Sequence, residues 1–204
     1  GSIMGCINTS AVRGSYKFIG GICGYNRGGS IIGCSNTGAV TGNAHIGGVC
    51  GNNTGILTGC SNEGSVTSTR RGDATSVGGV AGVHGYGGTM TACYNTGTVS
   101  CTDSNNNYLQ IGGVVGNCQG AGWVIACFNT GTVKNTNGKA GGVCGSNFSG
   151  YIYGGYYLHG TAKQAVGTGT GTDIVGSKTA AEFKGKAASG SNVLGLLNDA
   201  LIKK

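Results

Sequence analysis

The chain contains no proline, and only 9% of its 204 residues are charged. A collagen triple helix needs proline together with glycine at every third position, so the missing proline excludes it. Disordered chains usually carry far more charge, and the 38% of hydrophobic residues argues against a flexible Gly/Ser linker. No run of about 18 apolar residues occurs, so the sequence predicts no membrane insertion.

Acidic residues are especially scarce, and this scarcity bears on catalysis. Hydrolases and lyases built on β-helices need clustered carboxylates, or a base with a partner. The six acidic residues lie far apart in the sequence: Glu63, Asp73, Asp103, Asp173, Glu182 and Asp199. We therefore expect no enzyme activity, no catalytic residue and no cofactor. The net charge of +7 is dispersed without interleaved aromatic residues, so we expect no nucleic-acid partner.

What the chain has in abundance is glycine, 46 residues of it, arranged in an internal repeat. Five copies of one phrase read CINTSAV, CSNTGAV, CSNEGSV, CYNTGTV and CFNTGTV. Their first residues are Cys6, Cys34, Cys60, Cys93 and Cys127. A second phrase of the type GGVCG follows each copy, and an apolar residue lies three positions before each next copy. The copies begin 28, 26, 33 and 34 residues apart, and repeats of about 20–50 residues indicate a solenoid.

Each repeat contains three short apolar segments separated by Gly and Asn, which suits strands and is too short for helices. The sequence predicts an all-β protein: a right-handed β-solenoid of five to six coils over residues 1–160. Residues 161–204 are predicted to form a linker and a small helical cap. The Gly1-Ser2 start is typical of a removed purification tag, so we expect a fragment of a longer protein.

Stacking of the repeats predicts ladders of identical residues. Valines at two slots should point inward, and asparagines should align in a column and bond to one another. Cysteines in the repeat should be free thiols packed in the core. The reason is that the cysteine position of the GGVCG phrase holds Ala or Val in other copies, as expected for a small buried hydrophobic residue. The predicted ladder residues are Cys34, Cys60, Cys93, Cys127, Asn36, Asn62, Asn95 and Asn129. Cys101 and Cys118 lie outside the repeat pattern, and whether they pair with each other is open. No CxxC occurs and the histidines are far apart, so we expect no metal site.

The recurring C-x-N-T-G-x-V phrase, a gap and then G-G-V-x-G resemble the GLUG-motif repeat. The stretch GGVCGNNTGI at 47–56 is the most similar, and the resemblance covers residues 3 to about 158. It implies a bacterial surface or secreted protein, of the kind that includes adhesins and IgA1-specific metallopeptidases, in which the repeats form a scaffold or stalk. It implies no catalytic residue. The chain departs from the motif at Gly155 and in two long gaps.

Those two gaps predict the binding surface. From the repeat valine to the first glycine of the GG pair, coil three takes 12 positions and coil four takes 13, against seven or eight elsewhere. Insertions in a solenoid lie on one face, often a binding face, and these two lie in adjacent coils. The predicted ligand-binding residues are Arg70, Arg71, Asp73, Asp103, Asn106 and Tyr108. Neutral drift of surface loops is the alternative interpretation.

Four tyrosines near the end of the repeats allow two interpretations. Tyr151, Tyr153, Tyr156 and Tyr157 either form a platform for sugar stacking or pack the last coil against the predicted cap. Together, the repeats and loops favour a non-catalytic, monomeric, adhesin-like module outside the cell that binds a host or environmental glycan or protein. A passive stalk of a larger surface protein or secreted peptidase is the alternative.

Overall fold

A computed structural model describes residues 1–69, 75–102, 108–134 and 140–169 and the backbone of residues 177–178. Across this part of the chain, strands are present and helices are not, and every strand pair is parallel. The predicted β-solenoid is therefore confirmed. The predicted helical cap lies outside the described residues, and the right-handed sense of the coil stays a prediction.

Five parallel sheets run along the stack; each of the first five coils contributes one strand to each sheet, and the last four strands extend sheets I, II and V. Sheet I contains β1 (Ser2–Met4), β6 (Ser30–Ile32), β11 (Ile56–Thr58), β16 (Thr89–Thr91), β21 (Trp123–Ile125) and β26 (Tyr151–Tyr153). Sheet II contains β2 (Ile7–Asn8), β7 (Ser35–Asn36), β12 (Ser61–Asn62), β17 (Tyr94–Asn95), β22 (Phe128–Asn129), β27 (Tyr156–Leu158) and β29 (Ser177–Lys178). Sheet III contains β3 (Val12–Arg13), β8 (Val40–Gly42), β13 (Val66–Ser68), β18 (Val99–Cys101) and β23 (Val133–Lys134).

The other two sheets flank the glycine pairs. Sheet IV contains β4 (Lys17–Gly20), β9 (Ala44–Gly47), β14 (Thr75–Gly78), β19 (Leu109–Gly112) and β24 (Ala140–Gly141). Sheet V contains β5 (Cys23–Asn26), β10 (Cys50–Asn53), β15 (Ala81–Gly85), β20 (Val115–Gln119), β25 (Cys144–Asn147) and β28 (Val166–Gly169). A coil thus has five strands where the sequence predicted three segments, because both repeat phrases turn the chain at their centre and supply a strand on each side.

The register between coils pairs identical slots, as predicted. The first valine ladder runs through sheet III, where Val66 pairs with Val40 on one side and Val99 on the other. These valines pack with the isoleucines of sheet IV in one core column, and a second valine ladder packs with sheets I and V in another. The ladder valines are buried: Val40, Val49, Val66, Val80, Val99, Val114, Val133 and Val143.

The asparagine column is confirmed and forms a continuous hydrogen-bonded ladder. Asn36 donates from Nδ2 to Asn62 Oδ1 at 2.7 Å, and the same bond joins each later pair in the column. Each of these amides also donates to the backbone two residues ahead, as Asn62 does to the Gly64 carbonyl at 2.8 Å. Both amide protons of Asn36, Asn62 and Asn95 are thereby satisfied, which removes the penalty of burying them.

The glycine pairs lie against this ladder. A Cβ on Gly48 would collide with the Asn62 side chain and the Gly79 carbonyl, and one on Gly79 would collide with Asn95. Close approach therefore explains the second glycine of the pair, since neither Gly48 nor Gly79 has a positive φ. The two repeat phrases occur together because the asparagine of one packs on the bare backbone of the other.

The sheets continue past residue 160, where the sequence predicted a linker. Strand β28 pairs with β25, placing Val166 beside Cys144, and β29 pairs with β27. These pairings need only backbone groups, so the stack extends although the repeat phrases have ended.

Candidate functional site

The two inserted segments, between β13 and β14 and between β18 and β19, begin and end at one edge of the stack. Strand β13 ends at Ser68, which pairs with Cys101 at the end of β18 in the next coil. After the gaps, Thr75 of β14 pairs with Leu109 of β19. Both inserted segments therefore leave and return at neighbouring slots. We call this side of sheets III and IV in coils three to five the loop edge.

Threonine side chains hold the bases of these segments against the preceding coil. Thr69 donates its backbone N–H to the Gly42 carbonyl at 2.8 Å, and its hydroxyl donates to Asn43 Oδ1 at 3.1 Å. Thr102 repeats the arrangement one coil later, with its N–H and its hydroxyl both bonded to the Ser68 carbonyl at 2.9 and 3.3 Å. The inserted segments are thus anchored on regular, hydrogen-bonded strands, as binding loops commonly are.

Of the six predicted ligand-binding residues, the structure places one. Tyr108 lies where the coil-four segment returns to β19, and 69% of its surface is exposed. Arg70, Arg71, Asp73, Asp103 and Asn106 lie outside the described residues, so their roles stay predictions.

A cleft of about 310 Å³ lies at the same edge in coil five. The Val133 strand that forms one wall pairs with β18, from which the coil-four segment leaves. Apolar side chains alternate with hydroxyl groups and one ammonium group along its wall. The described lining residues are Thr132, Val133, Ala140, Gly160, Thr161, Ala162 and Lys163. The polar groups of the cleft are the hydroxyls of Thr132 and Thr161 and the ammonium group of Lys163.

The tyrosines of the last coil divide into two groups. Tyr156 and Tyr157 are buried within the stack. Tyr151 and Tyr153 lie on the outside of sheet I, where both stack on Trp123 with ring centroids 4.4 and 5.8 Å apart. Tyr151 and Tyr153 stack on Trp123 of the preceding coil, and this contact covers ring faces on which a sugar would have to stack. The geometry therefore favours packing of the last coil over a platform for sugar binding.

The sequence reasoning missed a second polar column, which runs through sheet V. Asn26 donates from Nδ2 to Asn53 Oδ1 at 2.7 Å, and Asn53 Nδ2 lies 3.0 Å from His84 Nδ1. His84 Nε2 lies 3.0 Å from the Trp123 carbonyl, so this histidine is neutral with its proton on Nε2. Burial lowers the pKa of His84 to about 4. The sequence does contain a sign of this column, because Asn26, Asn53 and Asn147 each lie three positions after the cysteine of a GGICG or GGVCG phrase.

All ten cysteines are free thiols. This answers the open pairing of Cys101 and Cys118: Cys118 is buried in the core column of sheets I and V, and Cys101 packs against the other column. Cys118 also proves to be part of a ladder, because it pairs with His84 in the second polar column. The hydrogen bond from Cys50 lowers the pKa of the half-buried Cys23 thiol to about 6.

No protein-family model, curated protein or solved structure matches the chain. Within the described ranges, no group of three or more His, Cys, Asp or Glu side chains could hold a metal ion. The same ranges contain no helix with the length and apolarity that a membrane crossing requires.

Proposed function

We propose that the chain is a non-catalytic, adhesin-like module of a bacterial cell-surface or secreted protein, and that the loop edge binds a glycan or a protein. One observation carries the proposal. Both inserted segments are anchored at neighbouring slots of an otherwise uniform stack, and the cleft lined by Lys163 lies at the same edge. A surface that departs from the repeat at one edge is where a solenoid gains specificity.

The chemistry of the edge suits a hydroxyl-rich or weakly acidic ligand. Thr132 and Lys163 are exposed beside the apolar Val133 and Ala162, and Tyr108 lies exposed one coil away. Threonine hydroxyls and an ammonium group donate hydrogen bonds to sugar hydroxyls or carboxylates, and an aromatic ring offers an apolar face to a sugar. GLUG-repeat membership and a location outside the cell belong to the same proposal.

A passive stalk is the second candidate, and the ladders favour it. The asparagine column is continuous from Asn8 to Asn129, so the stack is regular over five coils. A rigid spacer needs this regularity and no ligand.

Binding to a glycan and extracellular-matrix array distinguishes the two candidates. The test variant lacks residues 70–74 and 103–108, which shortens both inserted segments to the length found in coil two. We expect the parent to bind and the shortened variant to lose at least about tenfold in affinity, because both inserted segments of the loop edge are removed while strands β13, β14 and β18 stay intact.

Two controls make the result decisive. Ile56→Ser changes an exposed side chain on sheet I, away from the loop edge, and should bind like the parent. Circular dichroism must show that the shortened variant keeps its β structure. Equal binding by the parent and the folded, shortened variant would exclude the two inserted segments as the binding surface, and no binding by either would favour the stalk.

A further inference from the structure

We propose that the outer faces of sheets I and II in coils five and six are a docking surface for residues 191–202 of the same chain. In this arrangement the segment packs as an amphipathic helix along the side of the stack and does not cap its end. These faces lie apart from the loop edge, so the docking does not depend on the proposed function.

The outward slots of sheets I and II change their chemistry along the stack. Leu57 and Val124 are buried in the core, so the residues on either side of each face outward. In coil three the three outward slots hold Ile56, Thr58 and Ser61. In coils five and six the same slots hold six large apolar or aromatic residues, which we call the outer patch: Trp123, Ile125, Phe128, Tyr151, Tyr153 and Tyr156.

The corner between the two sheets is open in coil four and covered in coil five. Ala92 and Ala126 occupy the same corner slot, yet Ala92 is exposed and Ala126 is only 1% exposed. The corner residue of coil six does not explain the difference, because it is Gly154, which has no side chain. Tyr156 packs on Ala126 instead.

Tyr156 itself needs a cover. Its ring faces outward, in register with Phe128 and Tyr94, but it is 2% exposed where Tyr94 and Phe128 are half-buried. This burial is found in a single chain, so neither a second copy nor a ligand is required for it. We infer that a further part of the same chain covers the outer patch.

The path of the chain brings the C-terminal segment to this place. Strand β29 pairs with β27, which sets Lys178 beside Leu158, two residues after Tyr156. Residues 179–204 therefore begin next to the outer patch. The connection from 179 to 190 contains three lysines and two glycines, so it is polar and provides reach rather than an apolar surface.

The sequence of residues 191–202 complements the patch. Val193, Leu197 and Leu201 recur every four residues and fall on one side of a helix, whereas Asn198 and Asp199 fall on the other. A helix of this length measures about 18 Å, which is enough to cross both coils of the patch at about 4.8 Å per coil. Aliphatic side chains laid on the aromatic rings remove apolar surface of both partners from water.

Acrylamide quenching of Trp123, the only tryptophan, tests this docking in the full chain. Leu197→Asp puts a charge on the apolar side of the segment, and the matched control Asn198→Asp puts the same charge on its polar side. We expect the quenching constant of Trp123 to rise at least about twofold in Leu197→Asp, because the outer patch loses its cover. The control should be quenched like the parent, and circular dichroism must show that both variants keep their β structure.

Photochemical crosslinking identifies the occupant directly and does not depend on the folding of these variants. Benzoylphenylalanine in place of Phe128 should crosslink within one chain to residues 191–202, as mass spectrometry of the digested product shows. Equal quenching in the parent and a folded Leu197→Asp variant would contradict the docking, as would equal effects of Leu197→Asp and Asn198→Asp. Crosslinks to a second chain would make another copy the occupant, and crosslinks that miss residues 191–202 would exclude this segment.

Discussion

Single residues in this solenoid are constrained mainly by backbone geometry at the corners. The slot before each anchor cysteine has a φ near +60°, with glycine in coils one to three and alanine in coils four and five. Gly59 has a φ of +60° and Ala92 one of +53°. Alanine in this left-handed region is strained, by about 1–2 kcal/mol per residue.

Ala92→Gly should therefore stabilise the protein by about 0.5–1 kcal/mol. This value is the strain energy that the change removes, minus the cost of the greater conformational entropy of glycine in the unfolded chain. Ala92 is exposed, so little packing is lost. Gly59→Ala is the reverse change at the same slot, where a Cβ meets nothing within 4 Å, and should destabilise by a similar amount. Urea unfolding measures both, and a lower stability for Ala92→Gly would contradict this assignment of strain.

His84 makes stability depend on pH. The unfolded histidine has a pKa near 6.5, while burial lowers the folded value to about 4. Between these values the unfolded chain binds a proton that the folded chain does not, so stability falls as the pH drops from about 6.5 to about 4. The full loss from this group is on the order of 3 kcal/mol, and above pH 6.5 the group has no effect.

His84→Asn is the matched control for this prediction, because the same slot holds asparagine in coils one, two and five. Thermal unfolding between pH 4 and 7 should show a weaker pH dependence for the variant than for the parent. Identical pH dependence in the two proteins would show that His84 does not titrate as described.

At the scale of elements, the two-residue strands of sheet II depend on the asparagine ladder. Asn62 is fully buried, and its amide bonds to Gly64, Asn95 and Asn36. Asn62→Ala leaves several buried polar groups without partners and should cost about 3 kcal/mol. Asn8→Ala removes the same side chain at the open end, where water replaces the lost bonds, and should cost about 1 kcal/mol. Equal losses in chemical unfolding would contradict the continuous buried ladder.

The sequence predicted the ladders well, since repetition alone shows which residues share a slot. It did not predict that Asn62 packs on Gly48, because the two phrases are separated in the chain and only the fold brings them together. It also missed the second polar column, where His84 and Cys118 replace asparagine and hide the pattern. The predicted binding residues between β13 and β14 lie outside the described residues, and only the slots at which their segment leaves and returns are described.

At the scale of the whole molecule, the two ends of the stack differ. Among the described residues, the N–H groups of Ile7 and Thr9 in coil one have no acceptor, whereas β28 pairs with β25 and Tyr157 occupies the ladder slot after Asn129 in the last coil. The sequence predicted the repeat stack but placed its end at residue 160. Strand β28 extends the stack by backbone pairing alone and contains no repeat phrase, so the sequence pattern did not reveal it. A solenoid whose coils are held by matched slots should lose structure first where one neighbour is missing.

Hydrogen–deuterium exchange of matched amides shows whether each coil is held by the coil before it. Ile7 and Thr9 of coil one share their slots with Ser35 and Thr37 of coil two, whose N–H groups are bonded to the coil before them. We expect exchange at least about 100-fold slower for Ser35 and Thr37, and slower still for Ser61 and Glu63 in coil three. Equal exchange at the three sets of sites would contradict a stack of parallel coils that is open at its N-terminal end.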